Sequence, residues 1–162
     1  MELTDSVYDL YPPLFDEFPL ESVLRDAVVR RAVPSVGKLV AEAVCQMRVA
    51  KDPRLVAGLW LYCDDLDASH DVSQRLTCET GCWWHAVMHR REGDFGNSRY
   101  WYRQAKDHPL FLGIGMDPFE IVDLAESGSD LVEPWQRTEW AMLMDWCTQN
   151  ADEEKSGRHW EL

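Results

Sequence analysis

Apolar side chains in this chain recur every three or four residues and nowhere alternate, so helices are the regular structure the sequence can build. Leu20, Val23, Leu24, Ala27 and Val28 form one such stripe. Val36, Leu39, Val40, Ala43, Val44 and Met47 form a second, and Leu55, Val56, Leu59, Trp60 and Cys63 a third. No segment joins two-residue alternation to an enrichment in β-branched side chains, which leaves a sheet nothing to be made from. The chain has 162 residues, which fits one domain, and at that length folding buries roughly 68–70 % of the surface an unfolded chain exposes. The expectation is an all-α protein, a compact single-domain bundle of six or seven helices over residues 1–162.

Prolines and capping residues set the predicted ends. Tyr11-Pro12-Pro13-Leu14-Phe15 and Phe18-Pro19 interrupt the start, so residues 1–18 read as an extended arm whose aromatics pack on the body. The stripe from Leu20 predicts a helix ending near Ala32, before Pro34, with Ser35 as N-cap of the next. Asp52-Pro53 reads as a cap followed by a first-turn proline. The polar stretch Asp64-Asp65-Leu66-Asp67-Ala68-Ser69-His70-Asp71 is left open between helix end and loop, with a short helical turn around Val72 to Leu76. Helices are then expected over 82–92, 98–106, 117–126 and 131–150, followed by a polar, frayed tail at 152–162.

Composition narrows the function classes. Lys plus Arg number 16 against 29 Asp plus Glu, a formal net charge of -13, so most of the surface repels nucleic-acid phosphates. Within that acidic chain, residues 83–106 carry Arg90, Arg91, Arg99, Arg103 and Lys106 against Glu92 and Asp94, a local excess that suits a small anionic ligand or pairs with acids from other helices. The five cysteines have neither zinc nor redox spacing and read as reduced thiols. No basic-then-apolar leader opens the chain and no apolar run approaches the roughly 18 residues of a membrane span. A soluble cytoplasmic protein with no membrane partner is expected.

The chemistry concentrates in Trp83-Trp84-His85-Ala86-Val87-Met88-His89-Arg90-Arg91-Glu92. Positions four and seven apart on a helix lie within about 40° of one another, so His85, His89 and Glu92 share a face. Three readings of that face are open. As a metal site, the two imidazoles and the carboxylate suit zinc, iron or manganese, with His70 or Asp65 completing the shell. As a buried polar network, His70 and Gln74 approach the same helix while Asn97 and Tyr100 add donors and acceptors. As a metal-free pocket, the leading expectation, the site binds and can turn over a small polar or anionic ligand: His85, His89 and Glu92 are the catalytic candidates, Arg90 or Arg91 clamps a carboxylate or phosphate, Trp84 or Trp101 forms a wall, and His70, Asn97 and Tyr100 add ligand contacts. The pocket is expected where the 53–65 helix, the 66–80 connection and the 82–106 hairpin meet. From a different class, exposed tryptophans on the hairpin could dock a protein partner.

Other residues carry less. Trp135, Trp140 and Met144 sit at core spacing, Asp64, Asp65 and Asp67 lack the glycine and glutamate of an EF-hand, His108 reads as a helix-end residue beside Pro109, and His159 falls in the tail. Ser69 beside His70 has no orienting acid to make it a nucleophile.

Two resemblances add to this. Ala86, the Gly93-Asp94-Phe95 turn, and Ser98, Tyr102 and Ala105 make residues 82–109 resemble a single tetratricopeptide or Sel1-type helical hairpin, although Pro109 falls one residue early and no second copy of the repeat follows. Trp84-His85-Ala86-Val87-Met88-His89-Arg90-Arg91-Glu92-Gly93-Asp94, then Asn97, Tyr100-Trp101 and His108-Pro109, with Asp64-Asp65 and Ser69-His70 upstream, resemble a family of bacterial and fungal hypothetical proteins over roughly residues 55–110. That resemblance implies a helical fold and a site at these residues, and no reaction.

Overall fold

A computed structural model of the chain describes residues 2–150; the expected tail and His159 lie outside them. The described residues hold ten α-helices and no strand. Seven have eight residues or more: α3 (Pro34–Val44), α5 (Pro53–Tyr62), α6 (Leu66–Ser73), α7 (Glu79–Glu92), α8 (Phe95–Gln104), α9 (Pro118–Glu126) and α10 (Val132–Gln149). The other three, α1 (Asp5–Tyr8), α2 (Pro12–Glu17) and α4 (Met47–Ala50), are one or two turns long. No helix among the described residues is long and apolar enough to cross a membrane.

Local chemistry explains most boundaries. Proline stands at the start of α2, α3, α5 and α9, where its missing N–H leaves no bond unmade. Aspartate carboxylates accept the first free backbone N–H groups of α5 (Asp52), α6 (Asp65), α8 (Asp94) and α9 (Asp117). Helix α7 ends at Gly93, whose φ of 91° lies in the left-handed region that glycine enters without strain. Gly93-Asp94 thereby turns α7 back into α8 as a tight helical hairpin.

Helix α7 is the axis of the protein. Every residue from Thr80 to Arg91 is buried, and α5, α6 and α8 pack around it. Small side chains make this possible. Ser98 Oγ on α8 donates to the Ala86 carbonyl at 2.8 Å, and Ser69 Oγ on α6 donates to the Ala57 carbonyl of α5 at 3.0 Å. A β-carbon on Gly58 would meet the Trp84 ring at 2.9 Å. Helix α10 closes the other side through Trp140, whose indole N–H donates to the Gly58 carbonyl at 2.7 Å.

The all-round burial of α7 forces its charged groups to find partners inside. Arg90 donates to Glu139 Oε2 of α10 at 2.6 Å and to the Tyr102 hydroxyl of α8. Tyr102 and the Trp83 indole both donate to Glu139 Oε1, at 2.6 and 2.7 Å. One carboxylate thus ties three helices together. At the start of α7, His108 from the loop after α8 accepts the Leu110 N–H at Nδ1, leaving Nε2–H to donate to Thr80 Oγ1 at 3.1 Å.

The structure corrects three expectations and resolves one left open. Residues 1–18 are not an extended arm: Pro12 and Pro13 open α2, while Thr4 and Ser6 bond Asp145 of α10 and hold α1 in place. The Leu20 stripe makes only a 3₁₀ turn at Leu20–Ser22, and residues 23–33 form an irregular strap. There Leu24 takes a left-handed φ of 53°, and α10 captures the strap's carbonyls through Gln136 (Leu24, Asp26) and Arg137 (Val23, Glu21). Tertiary bonds replace the helical ladder in a segment whose β-branched valines favour helix weakly. Ser35 does not cap α3, because Pro34 already occupies its first turn behind Val33. The polar stretch at 64–71 is mostly helix, since Asp65 caps α6 directly.

Two outcomes test this architecture. Glu139→Gln leaves the buried Arg90 charge without its counter-ion, and urea unfolding is expected to show a loss of about 3–5 kcal/mol; a loss below about 1 kcal/mol would mean that the guanidinium finds water. Burial, and after it the Arg54 charge, push His108 down to about 4, so the unfolded chain takes up this proton near the ordinary histidine value of about 6.5 while the native protein does not. The His108 contribution is therefore complete above about pH 6.5 and is lost as pH falls toward 4, by about 2 kcal/mol at pH 4.5. Urea melts of wild type and His108→Gln across that window check it, the variant losing less.

Candidate functional site

Histidines from two helices meet on the side of α7 that faces α6. Asp65 accepts the Ala68 N–H to start α6, the Ser69 bond to Ala57 fixes its height, and the next residue, His70, turns toward α7. There its ring meets His85 and His89 edge-on, with centroids 4.8 and 5.5 Å away. His85 and His89 stand one turn apart and stack, at 4.7 Å and 18° between planes. Trp101 of α8 covers the outer face of His85 at 4.1 Å and 20°. One ligating nitrogen from each of the three histidines lies within 4.8 Å of the others.

The hydrogen bonding of the cluster is incomplete in a specific way. His89 Nδ1 lies 2.8 Å from Glu92 Oε1, so in the neutral ring Nδ1 carries the proton and Nε2 presents a lone pair. His85 is only 4 % exposed, and its Nδ1 is buried with no hydrogen-bond partner. Burial, followed by the neighbouring His89 and His70, pushes His85 down to about 4. At neutral pH it is an uncharged imidazole, the form that binds metals. Glu92 is 41 % exposed and reaches the cluster only through His89.

The other sequence candidates separate from this group. Arg90 is committed to Glu139 and Tyr102, and Arg91, 0 % exposed, donates to Asp64 behind α6; neither clamps a ligand beside the histidines. Trp84 faces the core against Gly58, and Trp101 alone of the two tryptophans walls the cluster. Asp65 is spent on its helix cap. Asn97 donates its backbone and side-chain N–H groups to Asp94, which holds the Asp94 carboxyl below the usual range. Asp94 and Glu92 both come within 4.8 Å of a His89 nitrogen. Tyr100 is half exposed and touches Trp101 edge-on.

A slot of about 240 Å³ lies beside Glu92 at the start of α6, without the aromatic wall or the histidines of the expected pocket. The strap lines one wall, and Asp64, Asp65 and Asp67 line the other. None of the three histidines lines it, nor the shallow hollow by Tyr11, Lys38 and Glu42 on α2 and α3. Two participants escape the sequence reading. Glu139 is the first; its signal is an acid set between Gln136, Trp140 and Leu143 on the buried face of α10. The strap is the second, and it carries no comparable signal. No protein-family model matches the chain, and neither a curated protein nor a solved structure is significantly similar to it.

Because Asp64 is the one carboxylate hydrogen-bonded to Arg91 among the described residues, with Asp26 acting on it as a further negative charge and Nε and Nη1 unpartnered in a buried setting, Asp64→Ala is expected to cost about 3–5 kcal/mol in urea unfolding. Asp64 also sits at a left-handed φ of 59°, where the alanine adds strain. A near-neutral result would show that Arg91 is hydrated rather than ion-paired.

Proposed function

We propose that this protein binds one divalent transition metal, zinc first, through His70, His85 and His89, and leaves one coordination position open. The observation that carries this is the convergence of three imidazole nitrogens within 4.8 Å, one histidine among them having a buried nitrogen that nothing else satisfies. Tetrahedral ligands about 2.0–2.1 Å from zinc stand about 3.4 Å apart, so binding draws the rings inward by about an ångström. A purely structural network of the same residues leaves the His85 nitrogen unmade, at about 1–3 kcal/mol. Neither hollow described above is lined by a histidine, which favours the metal over a metal-free pocket.

The donor set orders the metals. Three imidazoles with no thiolate and no direct carboxylate suit zinc, copper, nickel or iron better than manganese, magnesium or calcium. Glu92 then serves as the carboxylate that fixes the His89 tautomer and raises its basicity, a positioning role rather than that of a ligand. Three histidines plus an open position is the ligand count of hydrolytic and hydrating zinc sites, where the metal makes bound water acidic near neutral pH. Trp101 shields one face of that position. Free thiols at Cys45, Cys63, Cys78, Cys82 and Cys147 support a reducing, cytoplasmic setting.

Elemental analysis of the untagged protein after zinc or cobalt reconstitution is expected to give near one equivalent of metal. His70→Ala, His85→Ala and His89→Ala each should lower the stoichiometry to a small fraction, and Glu92→Gln should retain the metal with affinity reduced about 10- to 100-fold. Saturating zinc should also raise stability, by about 2.7 kcal/mol at a hundredfold excess over Kd. No metal after reconstitution, or metal that survives all three histidine variants, overturns the reading.

A further inference from the structure

The slot between the strap and the start of α6 has a charge pattern that neither the packing nor the histidine cluster uses. Its volume of about 240 Å³ is below the roughly 300–1,000 Å³ of pockets that hold drug-sized molecules, so its occupant is small. Arg30 and Arg31 line it from the strap, and Asp67 and Glu92 from the helical side. Arg30, Arg31 and Asp67 are exposed and form no ion pair among the described residues. Glu92 uses Oε1 on His89 and leaves Oε2 free.

The rest of the lining is already engaged. Asp64 is held by Arg91 and Asp65 by the first turn of α6. Behind Asp64, Arg91 is wholly buried with two nitrogens unpartnered. The strap cannot fold freely into the slot, because Val29 N–H is tied to the Arg91 carbonyl at 2.6 Å and Val33 N–H to the Cys63 carbonyl at 2.8 Å. Two cationic side chains, the unpaired Asp67 carboxylate and a Glu92 carboxylate with one unbonded oxygen therefore line one hollow without closing on each other.

We propose that this slot binds a small zwitterion of amino-acid type, its carboxylate on Arg30 and Arg31 and its ammonium on Asp67 and Glu92 Oε2. The planar guanidinium fork matches a carboxylate, and an ammonium supplies donors to both acids. A dianion of the same length is repelled at one wall and a diamine at the other, so each loses part of what the zwitterion gains. No histidine lines the slot, and the inference stands whether or not the metal binds.

Calorimetric titration of the EDTA-treated full chain at low salt with γ-aminobutyrate, succinate and putrescine separates the cases. The expected result is binding of γ-aminobutyrate alone, weakened about tenfold or more in an Arg30→Ala/Arg31→Ala variant and several-fold in Asp67→Asn. These residues are exposed, so the variants are expected to melt as wild type does, which thermal unfolding verifies. Binding is expected to persist in His85→Ala, which separates a failure of the slot from a failure of the metal site. No heat with γ-aminobutyrate, succinate or putrescine binding equally well, or affinity unchanged by the arginine and aspartate variants, overturns the proposal.

Discussion

The burial of α7 on every side is the constraint from which the rest of the structure follows. A helix carrying His85, His89, Arg90 and Arg91 has no solvent face on which to put them, and an unpaired buried charge costs several kcal/mol. Each charge must therefore be met by an acid from another element. Glu139 meets Arg90 and Asp64 meets Arg91. At about 100° per residue, Trp83 and Arg90 share a face, which is why one carboxylate on α10 serves both. Trp84 and Arg91 share the next face, lying over α5 and the turn into α6. With those two faces fixed, the third, bearing His85 and His89, has only α6 and α8 to look at.

The buried pairs specify this rotation more than they add net stability, since well-packed apolar side chains of similar volume are often as stable. Rotating α7 by one residue would carry Arg90 away from Glu139 and bring a histidine toward it. The same logic covers the close approaches. Ser98 against the Ala86 carbonyl and Gly58 against Trp84 admit only small groups, so α5 and α8 can press on α7 at one height and angle. The placement of His85 and His89 against His70 of α6 is thus a consequence of interactions made on the opposite side of α7.

What was legible in the sequence follows the range of the physics involved. Apolar period, first-turn prolines and aspartate caps act within one helix, and the helical class and α5, α7, α8, α9 and α10 could be read from them within a few residues. The strap was misread because its carbonyls bond Gln136 and Arg137, more than a hundred residues away, and no local pattern announces that. His70 enters the metal reading of the sequence as a supplementary ligand, and the network reading as an approaching partner, because helix spacing relates residues on one helix, whereas His70 reaches the others across α6 and α7. Glu92 shows the converse. Its spacing puts it on the histidine face, where it lies beside His89 Nδ1 and groups with His89 and Asp94 rather than with His70 and His85.

Glu92 is also where the two proposed sites meet. One oxygen orients His89, and the same side chain, its second oxygen unbonded, lines the slot. A cation drawn to that second oxygen lowers the charge the carboxylate offers to the His89 N–H, and with it the basicity of the nitrogen that faces the cluster. Metal affinity and slot occupancy then oppose each other, and by linkage the effect is equal in both directions. The coupling is confined to a single side chain, since the slot and the histidines share no other residue. Its size is bounded by what the Glu92–His89 bond contributes to metal binding, at most about one to two powers of ten in affinity.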